Sequence, residues 1–205
     1  MKAREFITED QTGLSWVEQA ANDIRANCQP YLRQVGNDVT QPLYRGFNPT
    51  TVRSNFTIMK CPVDRNPTST DSEVHWISDQ WFLDQFGVRF RSNAVFASGN
   101  YYQADTYGRV CAIFPIGEFK FCYSPIITDL FDSWEDGRIS RHSGDELKSA
   151  ISRILTSGRY QTTNLQEAIQ SGSEIMIHCD TYYRINSDPF KLSTVLSTLQ
   201  HELDV

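Results

Sequence analysis

Short apolar segments of strand length and longer amphipathic segments follow one another irregularly along this 205-residue chain. Strand patterns are predicted at residues 43–47, 56–60, 88–98, 110–114, 119–123, 174–179 and 181–185. A doubly wound parallel sheet requires a helix between successive strands, and the chain lacks that alternation. The pattern therefore predicts an α+β fold. Within that fold, the strands at 110–114 and 119–123 resemble a hairpin, because a Pro-Ile-Gly sequence separates them.

Helices are predicted from the residues at their ends. Polar capping residues open them at Ser15, Ser78, Asn100, Ser143, Asn164 and Asp188. Glycines end several of them, at Gly87, Gly108, Gly158 and Gly172. We expect a single domain over residues 1–205, made of a flexible lead-in at 1–14, an N-terminal helical segment at 15–36, a core at 40–186 and a C-terminal helix at 188–203.

Composition excludes several classes of protein. The chain carries 25 acidic and 19 basic residues, so a basic protein that wraps duplex nucleic acid is not expected, although a local basic patch is compatible with this balance. No stretch approaches the roughly 20 apolar residues that span a bilayer, so we expect no membrane partner. The five cysteines include no CxxC pair, and Cys111, Cys122 and Cys179 lie in strand patterns, which predicts buried thiols in a reducing cytoplasm. The four histidines are too scattered for a zinc signature, and we expect no metal.

The first candidate functional segment is Leu43-Tyr44-Arg45-Gly46. An arginine inside an apolar strand is unusual, because a guanidinium is rarely buried without a partner. One interpretation is an anion clamp, in which the guanidinium binds a phosphate and the glycine lets a ligand approach the backbone. The other is a structural salt bridge at the end of a strand.

The second segment, residues 96–100, ends a strand with Ser98 and Gly99 and then opens a helix at Asn100. A hydroxyl at the end of a strand, beside a helix N-terminus, is well placed to hold a polar ligand. The alternative is a turn and helix cap with core aromatic residues. Rings that could stack on a flat ligand follow directly, at Tyr101, Tyr102 and Tyr107.

The third segment is a strand of apolar residues that Glu174 opens. If its carboxylate faces a cleft, it is suited to bind a ribose hydroxyl and to stabilise positive charge that develops on a sugar carbon. The alternative is an exposed carboxylate at a strand edge. Just before the serine strand, Arg89 and Arg91 are candidates for a second anion contact or for structural ion pairs.

The order of these residues is more informative than any one of them. Arginine on an early strand, serine at the end of a middle strand and glutamate at the start of a late strand is the layout of ADP-ribosyltransferases. Over about residues 40–186, the chain resembles that family, specifically its cholera-toxin-like and clostridial-toxin-like branch with an Arg–Ser–Glu triad. The resemblance implies a split mixed or antiparallel sheet, flanked by helices, around a cleft.

The resemblance implies that NAD is the substrate and that no metal is needed. Arg45 would then clamp a phosphate or ribose, Ser98 would steady the nicotinamide ribose and orient Glu174, and Glu174 would stabilise an oxocarbenium-like transition state. The activity would be mono-ADP-ribosylation of an acceptor or NAD hydrolysis. Further NAD-binding candidates are Tyr44, Gly46, Phe96, Tyr101, Tyr102, Tyr107 and Arg91.

Two positions depart from the family pattern. Ser98-Gly99-Asn100 stands where Ser-Thr-Ser is usual, and Gly172 stands where members that modify arginine or asparagine carry Glu or Gln. Modification of an arginine is therefore not the expected outcome. The acceptor stays open between another protein side chain, a nucleic acid and a small molecule, with NAD hydrolysis as a further choice.

Two other functions are compatible with the sequence. One is a catalytically inactive module on the same fold that binds a nucleotide, a nucleic acid or a protein. The other is an unrelated structural or virion-associated protein, since the opening residues 1–7 are reminiscent of small proteins of large tailed phages, which would place the chain in the cytoplasm of a phage-infected bacterial host. NAD binding without turnover, or no NAD binding, would indicate the inactive module, and a stable stoichiometric assembly with larger proteins would indicate the structural protein.

Overall fold

The computed structural model describes residues 16–36, 38–67, 70–137, 139–186 and 189–203. In these ranges the α-helices are α1 (Trp16–Asn27), α2 (Gln29–Gln34), α3 (Ser72–Phe86), α4 (Tyr101–Asp105), α5 (Leu130–Asp136), α6 (Gly144–Ser157), α7 (Leu165–Ser171) and α8 (Pro189–Leu203). The strands are β1 (Leu43–Phe47), β2 (Phe56–Lys60), β3 (Val95–Ala97), β4 (Arg109–Ile116), β5 (Lys120–Tyr123), β6 (Ile175–His178) and β7 (Thr181–Asn186). The predicted lead-in at 1–14 and the capping residues Ser15 and Asp188 lie outside the described residues.

The strands form two antiparallel sheets. One has the order β1-β4-β7-β2, and the other has the order β3-β6-β5. Helices and antiparallel strands are thus mixed in one structure, which confirms the α+β prediction. Among the described helices, none combines the length and the hydropathy needed to cross a membrane.

The two sheets approach each other at the edge where β1 meets the end of β3. Tyr44 and Ser98 form an isolated antiparallel bridge there, with N–H to carbonyl distances of 2.7 and 2.9 Å. Beyond this bridge, β1 and β3 are not paired along their length. The sheet edges therefore diverge and leave a gap between β1 on one side and β3 and β6 on the other.

Two hydrophobic cores hold the sheets in place, and β6 contributes to both. Ile175 and Ile177 belong to the larger core, which includes buried residues of α1, α2, α7 and α8. Met176 points the other way and belongs to a second core, with residues of α3, α5 and α6. Because side chains alternate along a strand, the three-stranded sheet is buried on both faces. This burial fixes the start of β6, where Glu174 lies.

The predicted hairpin of residues 110–114 and 119–123 is wrong. The two strands exist, as β4 and β5, but β4 pairs with β1 and β7, whereas β5 pairs with β6. Both edges of β4 are occupied, so the chain has to cross to the other sheet after Ile116. A short connection is compatible with a hairpin but does not require one.

Two helix predictions also need correction. Helix α3 begins at Ser72 with Asp71 as its cap, not at Ser78, whose hydroxyl donates to the carbonyl of Val74 within the helix at 2.6 Å. Ser143 precedes α6 as predicted but makes no side-chain capping bond. Residues 130–136 form α5, a helix that the sequence patterns do not predict. The predicted buried thiols are confirmed, since Cys111, Cys122 and Cys179 are free and buried.

Candidate functional site

A cleft of about 620 Å³ opens at the gap between the two sheets. It is lined by β1, β3, α4, the start of α5, the loop after β2 and the residue before β6. Arg45, Ser98 and Glu174, which are separated by 53 and 76 positions in the sequence, all contribute to its wall. The structure thus brings the three predicted residues to one cleft. The volume of this cleft is in the range of small-molecule binding sites.

Glu174 is held at the floor of the cleft. Its backbone N–H donates to the carbonyl of Thr128 at 2.8 Å, and its side chain is 17% exposed, so it is not a free carboxylate at a strand edge. Oε1 accepts a hydrogen bond from Nη1 of Arg91 at 3.0 Å. Burial raises the pKa of the Glu174 carboxyl; the Arg91 guanidinium opposes this rise and the Asp129 carboxylate adds to it. Keeping the Glu174 carboxylate ionised therefore costs the folded protein free energy.

This raised pKa predicts a pH-dependent difference in stability between the protein and Glu174→Gln. Below the ordinary value of 4.5 the carboxyl is neutral in both folded and unfolded chains; as the pH rises through the folded pKa, the stability of the native protein falls relative to the variant. Urea unfolding at about pH 4 and about pH 7 measures the change. Glu118→Gln, at an exposed turn, serves as the control. A difference that stays constant between the two pH values would contradict the expectation.

Arg45 makes no ion pair with a described residue, so the salt-bridge interpretation fails within that part of the chain. Its Nη1 donates to the carbonyl of Phe96 at 2.7 Å, which ties β1 to β3 across the gap. Its Nε is buried and has no hydrogen-bond partner among the described residues. Burial lowers the pKa of the guanidinium, because the charge is only partly compensated. Arg45 therefore retains binding capacity for an anion.

Two further arginines stack on the ring of Phe96. The guanidinium carbon of Arg65 lies 4.0 Å from the ring centroid, and that of Arg91 lies 4.6 Å from it. Nη2 of Arg65 also donates to the backbone carbonyl of Arg91 at 2.7 Å. Arg91 then reaches Glu174 from this stack. Phe96 thus positions cations, which is a different role from the ring stacking on a ligand that aromatic residues often supply.

A buried polar network fixes the segment that carries Arg91. Oδ1 of Asp79 accepts from the backbone N–H groups of Arg91 and Ser92, at 2.9 and 3.2 Å, and its Oδ2 accepts from the Ser92 hydroxyl. Nε2 of His75 lies 3.0 Å from the same hydroxyl. Buried networks of this kind rigidify the groups that they hold. Arg91 is consequently presented to Glu174 from a rigid backbone.

The Ser98 hydroxyl bonds to the backbone before Glu174 and makes no hydrogen bond to the carboxylate. Its hydroxyl donates to the carbonyl of Gly172 at 2.7 Å and accepts from the N–H of Asn100 at 3.0 Å. Asn100 in turn caps α4 through hydrogen bonds to two backbone N–H groups. The serine therefore joins the end of β3, the start of α4 and the turn that leads into β6.

The glycines that depart from the family pattern have structural causes. A Cβ at Gly99 would collide with the carbonyl of Ile169, because α7 packs directly on this backbone. Gly172 has a φ of +69° and forms the C-cap of α7. Gly46, predicted to let a ligand approach, lines the cleft and also lets α4 pack on β1, since a Cβ there would collide with the carbonyl of Ala104.

The tyrosines near the cleft differ in position. Tyr107 lines it, and its hydroxyl donates to Oδ2 of Asp129 at 2.6 Å. Tyr44 also lines the cleft, and Tyr101 packs edge-on against it at 5.6 Å without lining the cleft itself. Tyr102 is 79% exposed and lies outside the lining. Of the three rings predicted to stack on a ligand, only Tyr107 lies in the wall.

Sequence reasoning missed Arg65, Asp79 and Asp129. Arg65 lies in a segment with loop composition, and Asp79 lies inside a helix, where an acidic residue is ordinarily a solvated one. Arg65 and Asp79 matter because they contact Arg91 and Ser92, which lie 12 to 26 positions further along the sequence. No local sequence pattern encodes such contacts. The capping position of Asp129, directly before α5, is the one local signal that was available.

The described residues contain no group of three or more His, Cys, Asp or Glu side chains suited to hold a metal ion. No protein-family model, curated protein or solved structure matches the chain.

Proposed function

We propose that the chain is an NAD-dependent mono-ADP-ribosyltransferase or NAD glycohydrolase that uses the cleft between its two sheets. The observation that carries the proposal is the convergence of Arg45, Ser98 and Glu174 on this cleft. The split between the sheets supports it further, since the resemblance implies such a split around the substrate site. The acceptor is a protein side chain, a nucleic acid, a small molecule or water.

The lining of the cleft suits the parts of a dinucleotide. NAD combines a diphosphate with riboses and flat rings. Arg45 and Arg65 offer charge and donors for the phosphates, Arg91 holds Glu174, and Tyr107 offers an exposed ring. Glu174 offers a carboxylate for a ribose hydroxyl: its Oε1 is paired with Arg91, while Oε2 makes no hydrogen bond to a described residue.

The reaction breaks the bond between the ribose C1′ and the nicotinamide nitrogen. The bonding electron pair goes to the ring nitrogen and neutralises its positive charge, while positive charge spreads over C1′ and the ring oxygen of the ribose. Glu174 accepts a hydrogen bond from the 2′-hydroxyl and stabilises this charge electrostatically. The acceptor nucleophile then bonds to C1′ and loses its proton; with water, the product is ADP-ribose.

Arg45→Gln is expected to raise the KM for NAD at least about tenfold, because a charge-assisted hydrogen bond contributes about 1.5–3 kcal/mol. Nicotinamide release from NAD by the purified protein, with and without candidate acceptors, measures the rate. Arg153→Gln, at an exposed position of α6, is the matched control and is expected to behave like the native protein. An unchanged KM in a folded Arg45→Gln protein would exclude Arg45 from the substrate site.

A nucleotide-binding module without turnover is the second candidate. The ion pair between Arg91 and Glu174 favours it, because it occupies one oxygen of the carboxylate that the reaction needs. NAD binding without nicotinamide release in the presence of protein, nucleic-acid and small-molecule acceptors would select this candidate.

A further inference from the structure

The charges in the cleft are unbalanced. Among the lining residues, Arg45, Arg65 and Arg91 stand against two carboxylates, Glu174 and Asp129. Arg91 forms an ion pair with Glu174, with 3.0 Å between its Nη1 and Oε1 of the glutamate. Asp129 accepts hydrogen bonds from the hydroxyl of Tyr107 and from a backbone N–H at the N-terminus of α5. Within the described part of the chain, Arg45 and Arg65 therefore have no carboxylate partner.

Arg65 is fixed in place although it lies on a loop. Its guanidinium is stacked on Phe96, and its Nη2 is bonded to the carbonyl of Arg91. A guanidinium has five N–H donors, and this bond uses one of them. Burial, and then the positive charges of Arg91 and Arg45, lower the pKa of Arg65 from 12.5 to about 10. A half-buried cation beside other cations is costly, and an anionic ligand relieves that cost.

We propose that Arg65 and Arg45 together bind a diphosphate group, so that the cleft selects nucleoside diphosphates over nucleoside monophosphates. Two guanidinium groups that line the same cleft and have no carboxylate partner among the described residues match two linked phosphates, since arginine binds phosphate through paired N–H donors. The third arginine, Arg91, stays with Glu174 and keeps that carboxylate in place. This inference rests on the proposed function only in placing the diphosphate of NAD at these two arginines.

The test compares the binding of ADP, AMP and adenosine by calorimetry. We expect the native protein to bind ADP at least about tenfold more tightly than AMP. In Arg65→Gln this ratio should fall towards one, with AMP affinity changed less than ADP affinity. Arg65→Lys keeps the charge and should keep part of the ratio. Arg89→Gln is the control, because Arg89 lies outside the cleft lining and is 3.8 Å from Asp64.

A merely structural role of Arg65 would weaken ADP, AMP and adenosine alike and would overturn the proposal. Equal affinity of the native protein for ADP and AMP, or no ADP binding, would also overturn it. These results are separable from the proposed function. ADP selectivity that Arg65→Gln removes, without turnover of NAD, keeps the diphosphate site and rejects the enzyme. Turnover of NAD that Arg65→Gln leaves unchanged keeps the enzyme and rejects this role of Arg65.

Discussion

Glu174→Gln is expected to lower the rate of nicotinamide release by about 10³-fold while leaving the KM for NAD within a few fold of its native value. Glutamine preserves the size of the side chain, and its amide oxygen can still accept the hydrogen bond from Arg91 at the position of Oε1. What it lacks is the negative charge that stabilises a cationic sugar in the transition state. The loss therefore falls on the chemical step and spares the ground-state complex.

The measurement is single-turnover release of nicotinamide by the native protein, Glu174→Gln and the exposed control Glu118→Gln. Because burial disfavours the ionised form of Glu174 and raises its pKa, we expect the neutral glutamine to be tolerated in the folded protein, and circular dichroism checks this. A Glu174→Gln protein that is folded and retains more than about a tenth of the native rate would remove Glu174 from the chemistry, since a charge in direct contact with the reacting sugar is worth far more.

Gly99→Ala is expected to lower the free energy of unfolding by about 3 kcal/mol, which corresponds to a melting temperature about 6–12 °C lower. The added methyl group would overlap the backbone carbonyl of Ile169, and a backbone atom cannot turn away as a flexible side chain can. To make room, α7 has to move, and with it Gly172, whose carbonyl accepts from Ser98. Activity should therefore fall together with stability.

Gly117→Ala is the matched control for this prediction. Gly117 has a φ of +67° and no atom within 4 Å of the added carbon, so only backbone strain of about 1–2 kcal/mol is expected there. Thermal unfolding of the two variants separates steric overlap from strain. Equal losses of stability in both proteins would show that α7 does not press on Gly99 as the structure has it.

Local patterns in the sequence predict much of the fold. The apolar segments 43–47 and 56–60 are β1 and β2 with the same bounds, and Asn100 and Asn164 cap α4 and α7 as their positions indicate. The α+β class follows from the same patterns. The partner of each strand does not, because pairing depends on contacts between distant segments; β4 and β5 are neighbours in sequence and belong to different sheets.

The candidate site was predictable to a similar extent. The order of Arg45, Ser98 and Glu174 indicates a shared site, and the structure places them in one cleft. The electrostatic arrangement was not predictable, because it depends on Phe96 gathering Arg65 from a loop and Arg91 from the segment before β3. Such long-range stacking leaves no periodicity in the sequence. The proposed substrate follows from the triad, whereas the proposed preference for a diphosphate follows from these three-dimensional contacts.

The central claim, that the cleft binds NAD, is tested most directly by titrating NAD into the Glu174→Gln protein. This variant is expected to bind NAD without consuming it, so the equilibrium can be measured by calorimetry. We expect one NAD per chain, with a Kd between about 1 μM and about 1 mM, the range of ordinary substrate affinities. The additional change Arg45→Gln should weaken this binding at least about tenfold. No binding of NAD to either the native or the Glu174→Gln protein at millimolar concentration would contradict the account.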